Sequence, residues 1–99
     1  MQEEMSQILR EVEEVLSGVS WTPEVSSAQT EELVRLGTRI WRGQTGSWLF
    51  VVVSFSIEDQ GFPPGTFGAD AVATNKATSV VIRLPRALAV KAWELARNA

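Results

Sequence analysis

The sequence predicts an α+β domain, with residues 1–99 forming one small unit. Its expected architecture is an antiparallel sheet of three or four strands with N- and C-terminal helices packed on one face (α-β-β-(β)-β-α). Three observations carry that prediction. Residues 2–17 repeat apolar side chains at spacings of three and four, as an amphipathic helix does. Residues 47–57, SWLFVVVSFSI, combine period-2 apolar alternation with three consecutive valines, and β-branching favours a pleated strand over a helix. Residues 79–84 form another β-branched run, which Pro85 closes ahead of a second amphipathic stretch.

In the first helix Met5, Ile8, Leu9, Val12, Val15, Leu16 and Val19 form the apolar stripe. Glu3 and Glu4 occupy the first turn, where the helix dipole favours negative charge. Gly18 is expected to end the helix in a left-handed cap. The opposite face carries Glu4, Gln7, Glu11 and Glu14, either as a solvated surface or as a stripe imitating a phosphate backbone. Residues 19–30 hold Trp21, Pro23 and several hydroxyl residues, and read as a connector with Trp21 pinned to the core edge.

Residues 32–42 admit two readings. As a strand, Val34, Leu36, Thr38 and Ile40 alternate with Arg35, Gly37 and Arg39. As a helix, Ser27 caps the start, Gly37 ends it, and a short strand begins at Thr38. The strand is preferred because a Gly43-Gln44-Thr45-Gly46 loop would set Arg42 opposite Ser47, Ile40 opposite Leu49 and Thr38 opposite Val51. Leu49, Val51, Val53, Phe55 and Ile57 are then the expected core face of the central strand. The other face would expose Trp41 against Trp48 and Arg39 against Phe50, followed by Arg35, Val52, Val81 and Arg83.

Residues 58–78 contain Gly61-Phe62-Pro63-Pro64-Gly65-Thr66-Phe67-Gly68, whose prolines exclude a helix or a central strand. Two phenylalanines beside prolines argue for a loop with a task, as a flap on the core or as a partner-binding loop. Residues 69–74 are the optional strand, pairing with residues 77–84 through a turn at Asn75-Lys76. In the last helix Leu88, Ala89, Ala92, Trp93, Leu95 and Ala96 share one apolar arc.

With neither cysteine nor histidine, the chain has no disulfide framework, thiolate zinc site, Ser-His-Asp triad or Cys-His pair. The pair Glu58-Asp59 reads as solvated rather than as a Mg²⁺ or Ca²⁺ site. The run GQTGS lacks the Walker lysine, and GFPPGTFG places prolines where a phosphate cradle needs amide donors. No enzyme, metal or cofactor is expected. The start MQEEMSQ has no signal-peptide pattern, and no stretch reaches the about 20 apolar residues of a membrane span, so a cytoplasmic protein away from membranes is expected. Eight glutamates face one arginine in residues 1–34, and five basic groups face Glu94 alone in residues 76–99. An acidic first helix and a basic last helix should therefore lie near each other or near a partner copy.

A binding surface is the remaining source of function. Arg35, Arg39, Trp41, Trp48, Phe50, Phe62, Phe67 and Arg83 are the expected partner-binding residues, on the outer sheet face and the loop. Aromatic and arginine side chains are enriched at protein–protein hot spots. They predict a small non-catalytic interaction module, of the adaptor or inhibitor type, binding another protein and associating as a homodimer. The same residues could stack bases and hold phosphates, which makes nucleic acid the alternative partner. A structural explanation also competes: one helix, or the loop bearing Phe62 and Phe67, covers that face. Residues 79–85, SVVIRLP, followed by Leu88 and Leu95-Ala96, resemble the strand and first helix of ribbon-helix-helix DNA-binding proteins. That resemblance implies a dimer in which Ser79, Val81 and Arg83 face the bases. The helix-strand-strand-strand-helix order is similar to that of double-stranded-RNA-binding domains. Their lysine-rich start of the last helix is replaced here by Pro85-Arg86-Ala87, so the function is not carried over.

Overall fold

The computed structural model describes residues 2–24, 31–32, 37–57 and 60–99. Helices α1 (Gln2–Leu16) and α2 (Arg86–Arg97) flank strands β1 (Ser20–Pro23), β2 (Arg39–Thr45), β3 (Trp48–Ser56), β4 (Phe67–Asn75) and β5 (Val80–Arg83). The strands neighbour one another in chain order, each antiparallel to the next, so the sheet is a meander with β3 at its centre. Both helices bury their apolar stripes in one core on the same side of the sheet. Among the described residues, no helix is long and apolar enough to cross a membrane.

The α+β architecture is as expected, with five strands where three or four were predicted. The extra strand is β1, in the segment that reads as a connector. It pairs with the outer edge of β2, and Pro23 ends it opposite Trp41, where an edge strand tolerates a missing N–H. The Trp21 ring packs against Gly43, where a Cβ would come within 2.7 Å of the indole, and its centre is 5.9 Å from that of Phe50. Strand β4 starts at Phe67 rather than residue 69 and pairs along its whole length with β3. Asn75 builds the turn to β5, its Oδ1 accepting the N–H groups of Ala77 at 2.9 Å and Thr78 at 3.3 Å.

Strand β2 is shorter than the preferred reading. Glu31 and Glu32 are helical, Gly37 has φ of +87°, and the strand begins only at Arg39. These described ends match the helical alternative; residues 33–36, including Arg35, lie outside the described residues, as does Ser27. The hairpin register also differs. Thr45 pairs with Trp48, leaving Gly46-Ser47 as a two-residue turn in which Gly46 takes φ of +54°. A glycine-first two-residue turn matches strand twist better than a four-residue loop, so the ladder extends three residues further on β2. Trp41 consequently meets Val52 instead of Trp48, Ile40 meets Val53, and Arg39 meets Ser54.

The larger correction concerns which face of β3 is the core. Trp48, Phe50 and Val52 are buried beneath the helices at 5%, 1% and 0% exposure, whereas Leu49, Val51, Val53 and Phe55 are half-buried on the opposite side. Side-chain size explains the choice. Ala73 lies opposite Phe50 and Ala71 opposite Val52, while α2 contributes Ala89, Ala92 and Ala96 to the same layer. Small residues on β4 and α2 let the helix approach closely, and the aromatics of β3 fill the space beside it. Val12 and Leu16 of α1 complete the core, and the Trp48 indole N–H donates to Glu11 at 3.3 Å.

The helix ends depart slightly from expectation. Gly18 is not in the left-handed region; the N–H groups of Gly18 and Val19 instead bond the carbonyls of Val15 and Leu16, at 3.0 and 3.3 Å. Pro85 precedes α2 as its capping residue rather than being its first residue. Lys91 reaches Glu13 at 3.6 Å, so the acidic and basic helices meet within one molecule.

Candidate functional site

The open face of the sheet is apolar across its middle. Ile40, Leu49, Val51, Val53 and Phe55 stand on β2 and β3, and Val72 and Val81 continue the surface onto β4 and β5. Val81 is 64% exposed and Val72 38%, among the most exposed large apolar residues described. The Phe55 ring covers Gly68, where an added Cβ would fall 2.6 Å from the ring. Among the described residues, charges flank this apolar strip, with Arg42 opposite Val51 and Asp70 opposite Val53. Arg42 pairs with Glu24 beside β1. Arg83 grips Asp70 with two bonds, Nη2 to Oδ2 at 2.9 Å and Nε to Oδ1 at 3.1 Å, beside β5. Among the described residues these ions balance, and each has a partner in the same chain.

At the β4–β5 end, a cleft of about 390 Å³ continues this surface between Phe55, Phe62, Arg83, Leu84 and Arg86. Phe62 is 49% exposed on the loop over residues 60–66. That loop is closed by Ile57 N–H donating to Thr66 at 3.1 Å and by the Thr66 hydroxyl donating to Pro63 at 2.7 Å.

A second cleft, of about 280 Å³, lies on the helix side between the sheet and the C-terminal half of α2. Arg39, Trp41, Ser54, Phe67, Trp93 and Arg97 line it, together with Gly37. The Arg97 guanidinium sits 4.5 Å from the centre of the Trp93 ring.

The expected partner-binding residues thus do not form one surface. Trp48 and Phe50 are core residues under the helices, as the structural explanation for that face anticipated. Trp41 is half-buried on the same side, with Arg39 and Phe67 exposed beside it. Arg83 stands on the opposite face, and Phe62 lies at the end of that open face. Arg35 lies outside the described residues. Arg39 and Arg83, two of the three arginines of the nucleic-acid alternative, consequently point to opposite sides of the sheet. The strand that resembles a ribbon-helix-helix ribbon is bonded to β4 of its own chain, and Ser79 sits in the preceding turn at φ of +60°.

Sequence reasoning missed Val51, Val53, Val72 and Val81 as one exposed patch. The signal was the alanine alternation Ala69, Ala71, Ala73 together with Ala89, Ala92 and Ala96, which marks where a helix lies close to a strand. Among the described residues, no group of three or more acidic side chains is placed to hold a metal; Glu58 and Asp59 lie outside them. No protein-family model matches the sequence, and no curated protein or solved structure matches it at a significant level.

Proposed function

We propose that this protein is a small non-catalytic interaction module that associates with a second copy of itself through the open face of its sheet. The observation that carries the reading is the apolar middle of that face, from Ile40 through Val53 to Val81, with Val81 at 64% exposure. Contiguous apolar patches of this kind on small proteins mark interaction sites. Strands of four to nine residues, about 4.8 Å apart and rising about 3.3 Å per residue, give a five-stranded face on the order of 500 Å², below the ~800 Å² per partner of a standard interface. Phe62 and the adjoining cleft enlarge it.

A second copy is favoured over an unrelated partner by the charges. Arg42–Glu24 and Arg83–Asp70 are each neutral and paired within the chain, so two identical faces meet without burying a lone ion. Among the described residues, a partner selected by charge would find no net charge here to recognise.

Light scattering across a concentration series tests the reading. The wild type should be dimeric at micromolar concentration, and Val53→Asp should give a folded monomer, because its carboxylate would be desolvated in the interface. A wild type that remains monomeric up to its solubility limit would overturn self-association.

A further inference from the structure

From the helix-side cleft we infer a second site, one that binds a small planar aromatic carboxylate. Three aromatic walls, Trp41, Phe67 and Trp93, and two guanidiniums, Arg39 and Arg97, converge on one cleft of about 280 Å³. Its construction follows from the register. Arg39 and Ser54 are partners across β2 and β3, Trp41 stands two residues further along β2, and Phe67 pairs with Ser56 at the start of β4. Trp93 and Arg97, one turn apart on α2, close the other side.

The electrostatics select the ligand. The protein carries a net charge of −3, yet among the described residues neither Arg39 nor Arg97 has a carboxylate partner. Arg42 and Arg83, on the open face, both do. The Arg97 guanidinium lies over the Trp93 ring, 4.5 Å from its centre, and among the described residues no carboxylate takes up its N–H groups, which can hold a carboxylate through two parallel bonds. Half-buried indoles and the exposed Phe67 ring offer flat apolar surface for the ligand's own ring. Size then narrows the class. Ligand pockets begin near about 300 Å³, so this cleft suits one fused ring system and not a nucleotide. The site lies across the sheet from the self-association surface, and its failure would leave that surface untouched.

The test uses 2-naphthoate as probe, with the neutral 2-naphthamide as its isostere, followed by ¹⁵N–¹H NMR of the four tryptophan indoles. Naphthoate should shift the Trp41 and Trp93 indole signals saturably and leave Trp48, whose N–H is held by Glu11, unmoved. It should bind about tenfold more tightly than the amide, the difference expected for one charge-assisted pair of hydrogen bonds. Arg39→Gln and Arg97→Gln should each erase most of that tenfold preference without changing amide binding. Arg83→Gln, on the opposite face, should not change it. Equal affinity for acid and amide, absence of saturation in the millimolar range, or an equal effect of Arg83→Gln would each overturn the assignment. Both guanidiniums are at exposed positions, and unchanged melting curves confirm that the variants remain folded.

Discussion

On the helix side of β3 stand Trp48, Phe50 and Val52; one residue away along the same strand, Leu49, Val51 and Val53 stand on the open side. The two sets differ little in hydrophobicity, yet the first is nearly inaccessible and the second half-exposed. What separates them is the size of their neighbours. Phe50 and Val52 face Ala73 and Ala71 on β4, with the buried alanines of α2 in the same layer admitting a helix at close range, whereas Val51 faces Val72 and Val53 faces Asp70. A strand that is apolar on both faces declares itself central, and its neighbours decide which face becomes the core.

Adjacent substitutions make this contrast measurable. Val52→Asp should abolish folding, because a buried carboxylate without a partner costs several kcal/mol, on the order of the about 5–15 kcal/mol stability of a small domain. Val53→Asp should keep the native circular dichroism spectrum while removing the concentration dependence of the melting temperature. If the two behave in the opposite way, the assignment of faces is inverted.

Aromatic truncation sharpens the same comparison. Phe50→Ala, at 1% exposure, should cost about 3–5 kcal/mol in chemical denaturation. Phe55→Ala, half-buried over Gly68, should cost roughly 1–2 kcal/mol, mostly transfer free energy. Enlarging a small neighbour probes the close approach of α2. Ala73→Leu should overpack the core by about 1–3 kcal/mol. Val72→Leu, on the open side, should stay within about 0.5 kcal/mol. A comparably small effect belongs to the exposed ion pair. Asp70→Asn removes an exposed ion pair and should change stability by less than about 1 kcal/mol, a difference that disappears in high salt.

The helix–sheet–helix order and the centrality of β3 were legible from periodicity alone, because amphipathic helices and a continuous β-branched run admit few other readings. The face of β3 was not. Ser54 and Ser56 made the even set look solvent-facing, but Ser54 is 3% exposed beside the helix-side cleft. Strand β1 escaped because four residues ending in proline carry no alternation to detect; only pairing with β2 makes them a strand. Of the expected site, Arg39, Trp41 and Phe67 do meet, though through α2 and in a cleft no local pattern announces. Trp48 and Phe50 looked like binding residues for the same reason that they make good core, a large apolar area.

The chain contains no cysteine, so a single thiol introduced by Val51→Cys, Val52→Cys or Val53→Cys reports the exposure of one position without background. Measured with a maleimide under native conditions, Val51→Cys and Val53→Cys should react readily in dilute protein and become progressively protected as concentration rises. Val52→Cys should remain silent until denaturant unfolds the chain. Native reactivity at position 52 with silence at 51 and 53 would contradict the face assignment, and labelling of 51 and 53 that ignores protein concentration would contradict self-association through the open face.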